Sequence, residues 1–379
     1  MDRIRKVCSI HDQTSFSMHS ASSSDWKNSC PCARGLNEIS YLGQKHILHM
    51  QTAVRSIEMK GTTLLFSELY PESLNDIVYR YSSPVVFQNT LSNMSLRFTR
   101  GDCFNDYEDG EVVKKLYIDC LSELIKEEKI DQEFFVAAAM TEIKHLVWLV
   151  GDDLAKQIEC KPFICCFSEE KDSLQMWQYY SKSGSFEGYN LGFRLNELVH
   201  VHPYFVEIGA VVYDEEIQKR CIKRSISTSF KDYQENVRLK ETQQIEISQE
   251  QLLHYELGVL RSRLAKLSCF FKRPCFSGEK EIRVVIKVPI EEKYRDSTWS
   301  GKKDQEKNVE IKYRIQQALM IPYIELPINP RSVECVTIGP ITSSKNIALE
   351  KNADVVNEFV TGRLGRSIPV LSSSIPVRF

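Results

Sequence analysis

The sequence predicts an α+β protein with a mixed, mainly antiparallel sheet, a cleft and flanking helices. Short runs rich in β-branched and aromatic residues, such as Ile77 to Tyr81 and Glu281 to Val288, recur from residue 77 onward. Apolar residues at helical spacing lie between them, as in Val112, Val113, Leu116, Cys120, Leu121, Leu124 and Ile125. Strands and helices do not alternate regularly, which argues against a doubly wound parallel sheet.

In order, strands are expected at Ile77 to Tyr81 and Ser95 to Thr99, with a short helix at Val85 to Leu91 between them. The Asn, Asp and Gly of GDCFNDYEDG mark a turn. Helices follow over Glu111 to Lys129 and Gln132 to Gln157, then a strand at Phe163 to Phe167. Asp172 or Ser173 can cap a helix through Trp177 to Tyr180. Strands are expected at Tyr189 to Arg194 and Tyr204 to Tyr213, and a long polar helical region between Tyr233 and Leu267. Strands at Glu281 to Val288, Ile321 to Leu326 and Val333 to Ile338 lead to a helix at Asn346 to Val360. Two short β-like pieces, Ile368 to Leu371 and Ile375 to Val377, close the chain. Residues 1–71 read as a Ser-rich extension, within which Tyr41 to Met59 can form a short helix, and 72–379 as one domain with a helical insertion at about 229–268.

With 379 residues, 42% of them hydrophobic, the chain is long enough to bury a core without disulfides. Lys+Arg 49 against Asp+Glu 51 excludes a histone-like basic protein, although a local basic groove is compatible. No charged start precedes an apolar stretch, and the run Phe134 to Val150 is broken by Glu142, Lys144 and His145. Neither a secretory leader nor a membrane span is expected, which points to a cytoplasmic protein with reduced thiols. The 12 cysteines show no C-x-x-C spacing, so no metal site is expected. Dinucleotide and P-loop glycine fingerprints are also absent.

Seven blocks occur in a fixed order: YRYSS at Tyr79, FNDYE at Phe104, CFSEEKDSLQMWQYY at Cys166, GYNLGF at Gly188, K-x-x-x-F-x-x-E-K-E-I-R at Lys272, VTIGP at Val336 and SIPVR at Ser374. From about Leu74 to the C-terminus the chain resembles the bacterial family called domain of unknown function 2971. Two departures are visible: Tyr107 stands where the family usually has Pro, and the stretch between GYNLGF and the Glu-x-Glu strand is longer. The resemblance implies an association with accessory or antiviral defence proteins and supplies no mechanism.

Glu279-Lys280-Glu281 opens an apolar strand. A Glu-x-Glu at a strand start resembles the catalytic motif of ADP-ribosyltransferases, enzymes that use NAD. That likeness implies that Glu281 holds the ribose and stabilises an oxocarbenium ion, and that Glu279 assists the acceptor. It further implies a basic residue on an early strand for the pyrophosphate, for which Arg80 is placed, and a hydroxyl-bearing strand, for which Ser168 is the candidate. Tyr81 and Tyr180 complete the residues expected at the cofactor. Ser227-Thr228-Ser229 spells the S-T-S of one subclass, but in a polar stretch next to basic residues, where a chance match is the readier reading.

Each residue also has a plainer reading. Paired Glu at a strand start commonly bridge to basic residues, and Arg283 shares a face with Glu281. Arg80 can pair with Glu108 or Asp106. Ser168 can cap a turn, Asn105 and Asp106 can shape one, and Trp177 suits a core. From a different class altogether comes a non-enzymatic binding module. Arg220, Lys223, Arg224, Arg261, Arg263, Lys266, Lys272 and Arg273, with Phe270, Phe271 and Phe276 nearby, would form its nucleic-acid groove. A protein or nucleic-acid target is compatible with these readings, and a membrane partner is not expected.

Overall fold

A computed structural model describes residues 67–69, 77–104, 111–141, 148–150, 158–181, 186–198, 206–243, 247–292, 295, 309–316, 318–340 and 346–376. All of them belong to Ser56–Phe379, the second of two units of the chain. The first part of the unit contains β1 (Ile77–Ser82), α1 (Pro84–Asn93), β2 (Ser95–Arg100), α2 (Val112–Lys126), α3 (Gln132–Ala139), β3 (Trp148–Val150) and β4 (Ile158–Ser168). Then come α4 (Leu174–Tyr180), β5 (Tyr189–Arg194), β6 (Val206–Ala210), α5 (Glu215–Gln243), α6 (Gln249–Ser268) and β7 (Glu281–Pro289). Last are β8 (Lys312–Gln316), β9 (Leu319–Pro327), β10 (Val333–Ile338), α7 (Asn346–Leu364) and β11 (Val370–Ser372).

The architecture is α+β, with an 11-stranded sheet whose main path runs β11-β10-β5-β1-β4-β2-β9-β8. Its described pairs are antiparallel except β10 with β11. The central strand is β4. One edge pairs with β7 from Cys160↔Pro289 to Ser168↔Glu281. The other edge is divided among three strands: β3 at Ile158 to Cys160, β2 at Phe163 and Ile164, and β1 at Ser168 alone. Among the described residues no strand pairs with this edge between Ile164 and Ser168, so the sheet is split between β1 and β2.

Side chains alternate across a strand, and β4 and β7 are covered on both faces. Ile164 and Val285 face a core with α2, α3, α5 and α6. Phe163, Cys165, Phe167, Ile282, Val284 and Ile286 face a second core with α1 and α7. This double burial explains why both strands read as near-continuous apolar runs.

Several expectations need correction. The helix expected over Gln132 to Gln157 ends at Ala139, and β3 occupies part of the remainder. The polar helical region begins at Glu215 rather than about residue 229, so Ser227-Thr228-Ser229 lies inside α5. β4 starts before Pro162 and contains it. β8 was not expected, and Ile375 and Pro376 are not in a strand. Residues Tyr41 to Met59, Asn105, Asp106 and Glu108 lie outside the described residues.

Candidate active site at the sheet split

A cavity of ≈140 Å³ opens at the split. Arg80 and Tyr81 reach it from β1, Arg97 and Thr99 from β2, and Cys166 from β4. Met176 and Tyr180 of α4, Phe104, Glu279 and Glu281 complete the part of the wall that concerns the chemistry. The split thus brings Arg80, Tyr81, Tyr180, Glu279 and Glu281, five of the residues singled out in the sequence, to one cavity.

Glu279 and Glu281 are not both strand residues. Pro274–Glu279 forms a 3₁₀ turn ending at Lys280, which has φ 41 and ψ 56 in the left-handed region. Glu281 is the first residue of β7. The left-handed residue lets the chain change direction between the carboxylates, and both reach Lys272. Lys272 Nζ donates to Glu279 Oε2 at 2.8 Å and to Glu281 Oε2 at 3.1 Å. The turn lies tight against α4: a Cβ on Gly278 would stand 2.0 Å from Gln175 Oε1.

Glu281 is almost saturated. Arg283 donates through Nε to Oε1 and through its second terminal nitrogen to Oε2, both at 3.1 Å. Arg283 is 1% exposed and also donates to the Cys269 carbonyl at 2.7 Å, with the Phe104 ring 5.5 Å from its guanidinium carbon. The Glu281 backbone N–H donates to Tyr213 Oη at 3.0 Å. Burial alone would raise the Glu281 carboxyl, but Arg283 and then Lys272 outweigh it and hold it at about 2. Burial would lower Lys272, yet the same carboxylates lift it to about 12. Cys166 is pushed well up by burial and by Glu281, which argues against a resting thiolate.

Glu279 differs. Its Oε2 accepts from Lys272 and, at 3.3 Å, from Tyr180 Oη. Among the described residues nothing bonds to its Oε1. Glu279 is therefore the member of the pair with an oxygen left for a ligand.

Lys272 is held through its backbone. Its N–H donates to the Val212 carbonyl at 3.2 Å, and Gln218, buried in α5, donates to the carbonyls of Val212 and Lys272 at 2.7 and 2.9 Å. The Phe276 ring stands 4.7 Å from its ammonium.

The remaining sequence-derived residues have mixed positions. Arg80 donates to Cys165 Sγ at 2.8 Å and to the Cys166 carbonyl at 3.1 Å, so it occupies the unpaired stretch of β4. Ser168 is fully buried and does not line the cavity. Its hydroxyl donates to the Glu279 carbonyl at 2.7 Å and accepts from Glu170 N–H at 3.1 Å, tying β4 to the carboxylate turn. Trp177 is a core residue that donates to Asp172 at 2.7 Å and meets Tyr81 edge-on at 4.7 Å. Tyr81 Oη is held between the Glu170 carbonyl and Ser173 N–H. Sequence reasoning missed Arg97, whose place at the cavity depends on a β2–β9 register with partners 228 residues apart.

The proposed nucleic-acid cluster is largely spent within the protein. Arg224 pairs with Glu68, Lys223 with Glu123, Arg263 with Asp232, Lys266 with Glu207, and Lys272 with both site carboxylates. Phe270 and Phe271 are fully buried, which removes them as stacking platforms. Among the described residues there is no group of three or more His, Cys, Asp or Glu side chains able to hold a metal, and no helix long and apolar enough to cross a membrane.

Residues 176–284 match the family model described as "Protein of unknown function (DUF2971)". The match contains α4 from Met176 onward, the Lys272 segment and the Glu-x-Glu turn, and stops short of the C-terminal strands. No curated protein and no solved structure matches the chain.

Proposed function

Residues 176–284 carry the DUF2971 match together with one wall of the cavity, and we propose that this cavity is the active site of an NAD-using enzyme resembling ADP-ribosyltransferases in fold and chemistry. The observation supporting this reading is that Arg80 and Arg97 line the same small cavity as the Glu279–Glu281 pair. NAD has anionic phosphates and a cationic nicotinamide attached to a sugar, so it needs cations and carboxylates at one site. The cavity, at ≈140 Å³, suits one ring and part of a sugar, and the adenosine half would lie outside it.

In the proposed step the C1′–N bond breaks and nicotinamide leaves neutral with the bonding pair. An acceptor hydroxyl or water then bonds C1′ and releases its proton. The oxocarbenium-like transition state needs a nearby anion. Glu279 Oε1 supplies it. Glu281, neutralised by Arg283, keeps Lys272 and the turn in place, so Glu279 takes the stabilising role that the sequence likeness implied for Glu281, and Glu281 acts as a structural partner. Activity of this kind would suit a toxin or an antiviral defence effector, because uncontrolled NAD consumption or target modification harms the cell.

Adding NAD to the full chain is expected to raise its melting temperature, since a ligand that binds the native state stabilises it. The chain should also release nicotinamide, and Glu279→Gln should lose about a hundredfold in rate while still binding NAD. Growth of expressing cells should recover with the same variant. Absence of both NAD binding and nicotinamide release would overturn the reading and return the chain to the class of binding modules.

A further inference from the structure

The polar face of the sheet continues from the cavity across β2, β9 and β8. Strand register pairs Arg97 with Glu325, Thr99 with Tyr323, and Tyr323 in turn with Lys312. Because side chains alternate, Arg97, Thr99, Tyr323, Glu325, Lys312 and Arg314 share one face. Leu96, Phe98, Ile324 and Leu326 fill the opposite face.

The charge on the polar face is unbalanced. Glu325 accepts from Arg97 Nε at 2.8 Å and from Lys312 Nζ at 2.9 Å. One carboxylate therefore serves two cations, and Arg314 has no hydrogen bond among the described residues. Its Nε is buried without a partner. Burial and the nearby Arg97 and Arg80 lower its pKa from the ordinary arginine value, so Arg314 lies within electrostatic reach of both guanidinium groups. An arginine remains charged under such repulsion, and close cations normally require an anion between them. The Tyr323 ring, 5.2 Å from the guanidinium carbon of Arg97, helps to hold that side chain in place.

We propose that Arg97 and Arg314, with Arg80 at the split, form a binding site for a phosphoanhydride. Its two phosphoryl groups bridge the arginines, and the remainder of the ligand extends toward Glu279. Arg97 and Arg314 supply planar, forked donors suited to phosphate oxygens. The location of the ligand's other end rests on the active-site reading above, whereas the anion site rests on the arginines alone.

The test uses inorganic pyrophosphate and the full chain, with calorimetry at fixed ionic strength. Saturable binding is expected, with at least a tenfold loss of affinity in Arg314→Gln and in Arg97→Gln. Arg314→Lys, which keeps the charge but not the fork, should lose less. Lys312→Gln, on an exposed edge strand, gives a second variant that should fold and bind a few-fold more weakly. No saturable binding by the wild-type chain, or equal affinity in folded Gln variants, overturns the site. A single-stranded oligonucleotide that binds more tightly than pyrophosphate, with affinity falling steeply with salt, assigns the arginines to nucleic acid and also overturns the proposal. Pyrophosphate binding without NAD turnover sinks the active-site reading and leaves the anion site standing. NAD turnover without pyrophosphate binding does the reverse.

Discussion

Lys272 Nζ lies 2.8 Å from Glu279 Oε2 and 3.1 Å from Glu281 Oε2, so one buried ammonium serves both carboxylates of the Glu-x-Glu turn. Removing it leaves two carboxylates against Arg283. Breaking a buried ion pair from one side commonly costs about 3–5 kcal/mol. Lys272→Met is expected to lose stability in that range, as measured by urea unfolding at neutral pH. A loss near zero would mean that water enters the cluster freely.

The two glutamates should separate in their effects. Glu281→Gln leaves Arg283 buried without its bidentate anion, so the main cost should be stability, about 3 kcal/mol or more. Glu279→Gln keeps the shape and most hydrogen bonding, so the main cost should be turnover. Thermal unfolding and nicotinamide release, measured on both variants, give the comparison. Equal stability loss with undiminished activity per folded molecule in Glu279→Gln would remove its catalytic role.

Acid should weaken the fold through two specific carboxylates. Glu281 is held at about 2, and Glu207, buried between Lys287 at 2.9 Å and Lys266 at 2.8 Å, is also held at about 2. A depressed folded value means that the unfolded chain binds the proton first. The stabilisation is therefore full above the ordinary carboxyl range and is lost as pH falls toward 2, about 3 kcal/mol for each group. Urea midpoints measured from pH 7 to pH 3 should hold down to about pH 5 and then fall steeply, and Glu207→Gln, less stable at pH 7, should show a shallower decline.

Asp172 fastens the C-terminal tail to the helix that carries Met176 and Tyr180. Besides Trp177, it accepts from Ser373 Oγ at 2.7 Å and from Ser374 N–H and Oγ at 2.8 and 3.0 Å. Asp172→Ala should cost about 1–3 kcal/mol and expose the tail to limited proteolysis. An unchanged cleavage pattern would show that the packing of Ile375 against the cluster of Tyr81, Met176 and Trp177 suffices alone.

Lys280 adopts φ 41 although it has a side chain. Its ion pair with Glu170 is exposed and contributes little. Lys280→Gly should therefore leave stability unchanged or raise it by up to about 1 kcal/mol, read as the urea midpoint. A clear loss would assign the Lys280–Glu170 pair more weight than exposed pairs usually carry.

Much of the fold was legible because packing and local pattern agree. Val333–Ile338 and the central strands announce themselves through apolar, β-branched runs. β8 was missed because KYRIQ is an edge strand with no buried residue, leaving no burial pattern to detect. The first part of α5 was missed because its Ser and Thr residues favour turns in isolation. Inside the protein, Ser225 and Ser229 are buried, and the Ser225 hydroxyl donates to the Cys221 carbonyl at 2.9 Å. The carboxylate pair was visible as a motif, and its bridge to Arg283 was foreseen as the plainer alternative. Arg97 and Arg314 reach their positions through sheet register between distant segments, for which sequence spacing has no signature.

The split beside β4 also bears on how the molecule deforms. Along its other edge, from Cys160 to Ser168, β4 shares load with β7 through repeated backbone pairing. Between Ile164 and Ser168, among the described residues, the Arg80 side chain stitches the seam by donating to the Cys166 carbonyl. Mechanical compliance is thereby concentrated at the cavity, while β4 and β7 act as a stiff spine behind it. Thermal breathing should widen or narrow the mouth by moving the β1 and β2 margins apart. The same seam would let a bound molecule adjust the cavity width without unzipping the spine.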